Sequence, residues 1–189
     1  MLKKILLGLG GVVTLAIVVV LVLAAMRPDT FSVERSITIN APSKKIIPLV
    51  TNFRDWVLWS PYEKPDPDMK RVYGNETAPI YMGINSTYEW DGDSNVGQGR
   101  MRIAEVQLVG LNEVKVLIKL DFIKPFEAHN DAVFRFVSIT PSVTEVTWTM
   151  SGPASFPQRI IHVLINMDKM LGNQFMEGLT SLKAEAEKP

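Results

Sequence analysis

An almost unbroken apolar segment, residues 5–26, constrains this chain more than any other feature. The segment (ILLGLGGVVTLAIVVVLVLAAM) carries no charge, and Thr14 is its only hydroxyl-bearing residue. As a helix it would be a little over ~30 Å long, which matches the hydrocarbon core of a bilayer. Because backbone groups in lipid must be paired within their own segment, the pattern predicts a transmembrane helix over residues 5–26.

The charges beside this segment predict its orientation. Lys3 and Lys4 precede it, and Arg27 follows it. The positive-inside tendency therefore predicts a short cytoplasmic N-terminus, residues 1–4, with the rest of the chain on the extracytoplasmic side. We expect a single-pass membrane protein.

Beyond the apolar segment, residues 27–30 are expected to be a linker and residues 31–186 a single domain. A cleaved signal peptide is the alternative, because Val22-Leu23-Ala24-Ala25 offers a small-residue cleavage site. Both interpretations place the domain outside the cytoplasm. The chain has no cysteine, which excludes a lipid-modified cysteine anchor, disulfides and thiol chemistry.

Composition excludes several classes of function. The chain has 20 basic and 20 acidic residues, and no clustered basic face indicates a nucleic-acid partner. It has two histidines, His129 and His162, and no grouping of metal ligands at the usual spacing. Neither a glycine-rich phosphate loop nor a nucleophile elbow is present. We therefore expect no metal, no cofactor and no catalytic site built on these motifs.

Alternation of apolar and polar residues predicts a series of strands. Residues 31–40 (FSVERSITIN) form the first candidate. Further candidates, separated by glycine, proline and asparagine turns, are residues 69–73, 85–90, 99–107, 114–122, 127–137 and 144–151. Consecutive strands joined by tight turns indicate an antiparallel meander.

Two helices are predicted around these strands. Asn40-Ala41-Pro42-Ser43 is typical of a helix start, and we expect a helix over about 43–53 that Pro48 bends or breaks. Ser155-Phe156-Pro157-Gln158 matches a capping box. Apolar residues at helical spacing then predict one long amphipathic helix over about 156–186.

The long helix is expected to cover the apolar face of the sheet. A helix is about 10 Å wide, so a sheet of six or seven strands must curl around it, and curling can leave space between them. Gly172 and Gly178 on the helix, and Ala128 and Ala132 on a strand, would add to that space. A ligand cavity is one interpretation, and a filled core in which small residues match large ones is the other.

Several segments in this order resemble the START/Bet v 1-like superfamily, within it the polyketide cyclase/dehydrase and lipid-transport group. They are VERSITINAP (33–42), WVLWSP (56–61), YEW (88–90), GQGRM (97–101), TEVTW (144–148) and GNQFMEGL (172–179) with Leu182-Lys183. The resemblance implies an α+β helix-grip fold, in which a curved antiparallel sheet wraps around a long C-terminal helix. It also implies a hydrophobic cavity between them. The N-terminal membrane helix departs from the soluble members and argues against a free cytosolic carrier.

The candidate cavity lining consists of inward-facing residues of the predicted sheet and helix, together with two tryptophans of a loop-rich segment that either shape the cavity mouth or anchor the loop to the core. They are Trp56, Trp59, Tyr88, Trp90, Met101, Ile118, Asn130, Phe134, Trp148, Met167, Leu171 and Phe175. Among them Asn130 is the best polar group for orienting a ligand. Glu105 is expected to share the inner face with Met101 and Ile103, while alternation places His129 on the outer face. Arg35 is expected to pair with a carboxylate near a helix end.

The function that we predict is a membrane-anchored START-like domain that binds a lipid or other hydrophobic small molecule between sheet and helix. Two alternatives remain open. One is an enzyme of the polyketide cyclase/dehydrase kind, which would need an inward carboxylate or histidine beside the cavity. The other is a non-catalytic membrane interaction protein with a filled core.

Overall fold

One antiparallel sheet, with helices packed on its inner face, forms the body of the protein. A computed structural model describes residues 2–74 and 83–189, with side chains from residue 9 onward. In chain order the elements are α1 (Leu2–Met26), β1 (Thr30–Ile39), α2 (Ser43–Thr51), a 3₁₀ turn (Phe53–Asp55), α3 (Trp56–Trp59), β2 (Lys70–Gly74), β3 (Thr87–Asp91), β4 (Gln98–Val109), β5 (Glu113–Lys124), β6 (Ala128–Thr140), β7 (Val143–Pro153), α4 (Phe156–Leu164) and α5 (Met167–Ala186).

The seven strands form one sheet in the order β1-β7-β6-β5-β4-β3-β2, and every neighbouring pair is antiparallel. The curved antiparallel sheet with a C-terminal helix on its inner face is thus confirmed. Each predicted strand is present, with its ends shifted by one to three residues. Strands β2 to β7 form the meander, and β1 adds to it by pairing with β7.

Aromatic and branched side chains on the inner face form the core. Ile118, Phe134 and Trp148 are fully buried there, as is Phe175 on α5. The rings of Trp148 and Phe175 stack with their centroids 4.4 Å apart, which fixes α5 over β7. Each such side chain contributes roughly 1.5–3 kcal/mol when fully buried.

A bulge in β4 changes the direction of one predicted inward residue. Ile103 pairs with Ile118, whereas Glu105 pairs with the adjacent Leu117, so Ala104 is an extra residue in β4. The bulge moves Glu105 to the exposed side, and Val106 takes the inward position against the core. The prediction that Glu105 shares the inner face was therefore wrong.

The first helix of the domain begins where the sequence predicted but is not broken by proline. α2 continues through Pro48 to Thr51, and the Pro48 carbonyl accepts a hydrogen bond from the Asn52 N–H at 2.9 Å. Proline costs one backbone hydrogen bond in such a helix. The burial of Ile46, Ile47 and Val50 offsets that cost.

The predicted long C-terminal helix is two helices. α4 ends at Leu164 and α5 begins at Met167. The Asn166 side chain accepts a hydrogen bond from the Lys169 N–H at 2.9 Å and so caps α5. The predicted apolar stripe does not reach the sheet throughout, because Leu164 is 68% exposed and no α4 residue is buried.

The apolar N-terminal segment forms helix α1, as predicted. Residues Leu9–Met26 have a mean hydropathy of 2.8 and lie mostly outside the packed core. By length and composition this stretch could cross a bilayer, and a signal sequence would have the same properties. Near its end Ala24 is fully buried, and α1 contacts α4.

Candidate functional site

A cavity of about 860 Å³ lies between the inner face of the sheet and the C-terminal helices. α5 packs on β1 and β7, at one side of the sheet. A helix about 10 Å wide cannot cover seven strands, so the inner face of β3 to β6 is left partly uncovered. Most of the residues that line the resulting space are apolar or aromatic. Its size falls within the range of small-molecule sites.

Nine of the twelve candidate lining residues meet in this cavity. They are Trp56, Tyr88, Trp90, Met101, Ile118, Asn130, Trp148, Met167 and Leu171. The structure does not place Trp59, Phe134 and Phe175 in the lining. These three lie in the aromatic core, each at most 1% exposed, where α3 and α5 cover the sheet closely. For a strand residue such as Phe134, alternation predicts that the side chain points inward but not whether a helix packs directly on it.

The helix glycines do not create the cavity. A Cβ at Gly172 would lie 2.0 Å from the Arg35 guanidinium, and one at Gly178 would lie 2.9 Å from Trp148 and Pro61. Both glycines therefore make room for neighbouring side chains. At these two positions the filled-core interpretation applies, since small residues match large ones. The strand alanines, Ala128 and Ala132, do line the cavity.

Arg35 forms the ion pair that the sequence predicted for it. Its guanidinium donates to both carboxylate oxygens of Asp168, at 3.0 and 2.9 Å, in the first turn of α5. It also donates to the Asp168 carbonyl at 2.9 Å. The hydrogen bond from Arg35 lowers the pKa of Asp168, although burial opposes the shift. This pair attaches α5 to β1 and lies outside the cavity lining.

A buried carboxylate, Glu63, belongs to the cavity wall. It is 6% exposed and accepts hydrogen bonds from the Tyr88 hydroxyl at 2.7 Å and from Arg71 Nε at 2.8 Å. Burial is the main cause that raises the pKa of Tyr88, and the bond to Glu63 adds to it. The phenol therefore stays protonated and donates. Arg71 also donates to the carbonyls of Pro67 and Met69, so the cluster fixes the segment after α3.

Two polar atoms buried at the cavity wall have no partner within the described residues. They are Asn130 Oδ1 on β6 and Trp148 Nε1 on β7. Asn130 is 8% exposed, and Trp148 is 1% exposed. Buried polar groups are nearly always paired, so each needs an explanation.

The described lining residues include two carboxylates, Glu63 and Glu127, and one imidazole, His162, but no lysine or arginine. Segment 75–82 also contains neither basic residue in its sequence. Burial, followed by the nearby Arg27, lowers the pKa of His162. The imidazole, whose ring packs edge-on against Phe31, is thus neutral near pH 7. Among the described lining residues, none therefore offers a positive charge to an anionic ligand.

The second histidine lies on the outer face of the sheet, as alternation predicted. His129 Nδ1 is 2.7 Å from Asp121 Oδ1, and Arg100 Nε donates to the other oxygen of that carboxylate at 3.0 Å. The bond to His129 is the largest of the causes that lower the pKa of Asp121. This exposed ladder is separate from the cavity.

One side of the cavity lies beside the end of α1. α4 contributes Ile161 and His162 to the lining and also contacts α1. Arg159 donates to the Arg27 carbonyl at 3.2 Å, and the Ala154 N–H donates to the Asp29 carbonyl at 2.6 Å. The linker is therefore bonded to the segments that flank the cavity.

Sequence reasoning missed several polar residues of the wall. Glu63 and Tyr62 follow α3 in an irregular segment, where no periodicity shows which way a side chain points. Gln174 lies off the apolar stripe, yet its Oε1 accepts a hydrogen bond from the Tyr62 hydroxyl at 3.2 Å. Glu63 was detectable only as a carboxylate within a segment rich in aromatic residues and proline.

Comparison with known proteins identifies the architecture. No family model and no curated protein matches the chain. Solved structures do match. A hypothetical protein from Helicobacter pylori has a TM-score of 0.60 at 9% identity, covering 83% of this chain and 88% of that one.

Two further structures carry informative names. The Zhui aromatase/cyclase from Streptomyces sp. R1128 has a TM-score of 0.54 at 14% identity, covering 84% of this chain and 94% of that one. A START superfamily protein from Mycobacterium smegmatis has a TM-score of 0.50 at 15% identity, covering 82% and 97%. At these identities the likeness concerns the fold alone. Residues 30–186 therefore have the START-like helix-grip fold, with an apolar helix preceding it.

Proposed function

We propose that this protein is a membrane-anchored domain that binds a lipid or another hydrophobic small molecule in the cavity beneath α4 and α5. The observation that carries the proposal is the cavity itself, about 860 Å³ in volume and lined mainly by apolar and aromatic residues. Burial of an apolar ligand there would gain roughly 25 cal/mol per Å² of area removed from water.

The position of α1 supports the anchoring part of the proposal. Its apolar length suits a bilayer, and α4 touches both α1 and the cavity. Side chains on that side of the cavity remain exposed, among them Phe126 at 73% and Ile161 at 41%. A ligand that moves between bilayer and cavity would meet these apolar side chains, so the route suits a lipid better than a polar solute.

The two alternative functions have less support. A filled core does not fit a space of this volume. An enzyme of the cyclase kind would use the wall carboxylate Glu63, but Arg71 and Tyr88 already occupy its oxygens. That arrangement suits a structural ion pair better than a proton-transfer group.

The test is to fill the cavity without disturbing the fold. Ala132 is 3% exposed and lies in the wall, whereas its neighbour Val133 points to the outer face. We expect Ala132→Phe to reduce ligand uptake at least about tenfold while the fold is retained, since the ring enters existing space. Val133→Phe, a similar enlargement on the other face, should bind like the wild type.

Native mass spectrometry of the detergent-extracted full chain, after incubation with total lipid extract of the expression host, reads out both variants. The wild type and Val133→Phe should carry an added small-molecule mass, and Ala132→Phe should not. A wild-type protein that stays bare, or an Ala132→Phe variant that is loaded equally, would contradict the proposed function.

A further inference from the structure

The Asn130 amide is placed in the cavity wall without a hydrogen-bond partner. The residue is more than nine-tenths buried, and its Oδ1 has no partner within the described residues. Leaving such a group unpaired costs free energy, whereas an aliphatic side chain of similar size would not carry this cost. As the structure places it, Oδ1 lies against Gly152 with almost no accessible surface, so a ligand in the cavity would reach the amide through its other atom or after the amide rotates.

The neighbouring strand leaves room for this amide. Gly152 on β7 lies beside Asn130, and a Cβ there would come within 2.1 Å of Asn130 Oδ1. Any larger residue at position 152 would displace the amide from this position. Glycine at position 152 therefore leaves the space that the Asn130 amide occupies.

The charges around the cavity restrict the polar group that a ligand can bring. Glu63 and Glu127 line the wall, His162 is neutral near pH 7, and no described lysine or arginine lines it. A carboxylate or phosphate brought into this space would find no counter-charge, and burial of an unpaired charge is costly. An uncharged polar group avoids that cost.

Resting on the proposed function, we propose that the ligand is an uncharged amphiphile whose hydroxyl group pairs with the Asn130 amide. A hydroxyl both donates and accepts, so it satisfies the amide in either orientation of its oxygen and nitrogen. The long apolar remainder of the ligand lies along the aromatic wall. The ligand class is thus an alcohol-bearing lipid, and fatty-acid anions are disfavoured.

Three probes of equal chain length separate the contributions. The full chain in detergent micelles at pH 8 is incubated with hexadecan-1-ol, 1-chlorohexadecane or hexadecanoate, and native mass spectrometry measures the fraction that carries one probe. We expect the alcohol to bind at least about fivefold more tightly than the chloroalkane, as one hydrogen bond predicts. We expect hexadecanoate to bind more weakly than the alcohol.

Variants assign the preference to the amide. Asn130→Leu should reduce the alcohol-to-chloroalkane ratio about fivefold, to near one, while raising the thermal midpoint of the empty protein. Gly152→Ala keeps the amide but displaces it, and should also lower the ratio. Val133→Leu, a small enlargement on the outer face of the same strand as Asn130, should leave the ratio unchanged.

Equal binding of alcohol and chloroalkane, tighter binding of hexadecanoate, or an unchanged ratio in Asn130→Leu would overturn this inference while the proposed function stands. A wild type that takes up none of the three probes, and no lipid from the host extract, would overturn both.

Discussion

Among the described ion pairs, the one between Glu63 and Arg71 is the most removed from water. Their side chains are 5% and 19% exposed, so water solvates these two charges only in part. We expect Arg71→Leu to lower the free energy of unfolding by about 2–3 kcal/mol, because it leaves the Glu63 carboxylate buried with the Tyr88 hydroxyl as its one remaining partner among the described residues. Chemical unfolding of the detergent-solubilised chain measures this change.

Arg100→Leu is the matched control, since Arg100 pairs with Asp121 but is 61% exposed. Exposed pairs contribute at most about 1 kcal/mol, so this variant should unfold almost like the wild type. Equal losses in the two arginine variants would show that burial of the carboxylate does not determine the cost.

At the scale of elements, the ion pair between Arg35 on β1 and Asp168 on α5 makes the packing of that helix dependent on pH. The ordinary pKa of an aspartate is 3.8, and the folded protein lowers the pKa of Asp168 below it. The contribution to stability is therefore complete above about pH 5 and is lost as the pH falls through the lowered pKa.

Comparison with Asp168→Asn over a pH series tests this statement. The variant should be less stable than the wild type at pH 6, and the difference should shrink below pH 3.8 and close once Asp168 is protonated in the folded state. A difference that stays constant from pH 6 to pH 2 would contradict the assigned role of the carboxylate.

The elements were largely predictable from the sequence because their signals are local. Alternation located all seven strands, and the capping box located the start of α4. The break before α5 was missed because the apolar spacing continues across it, although Asn166 followed by Asp168 is a helix-start signal. The bulge at Ala104 was not predictable, since its position depends on pairing with β5.

The site was predictable only in part, for a related reason. Which side chains point inward follows from the period of two, and this identified Asn130 and Trp148. Whether a helix covers them is a long-range property, and so Phe134 lies in the core instead of the cavity wall. The cluster around Glu63 depends on the path of an irregular segment, which no local pattern specifies.

For the whole molecule, the membrane topology is the main prediction. The chain has no cysteine, so single cysteines report their own position. Ser142→Cys, at the exposed turn between β6 and β7, should react with a membrane-impermeant maleimide in intact cells. Lys3→Cys should react only after the cells are lysed. The labelled protein should then have the mass of the full-length chain.

Two other labelling results would contradict this topology. Labelling of Lys3→Cys but not Ser142→Cys in intact cells would reverse the predicted orientation. Absence of the Lys3→Cys label from the mature protein after lysis would indicate cleavage, and α1 would then be a signal sequence and not an anchor.

The linker leads from α1 straight into β1, whose ten residues are all paired with β7 from Thr30↔Pro153 to Ile39↔Thr144. A pull on α1 along the axis of β1 would load this whole ladder in shear, so that many hydrogen bonds resist together and none is peeled off alone. Such a pull would therefore be resisted by the full length of the β1–β7 ladder.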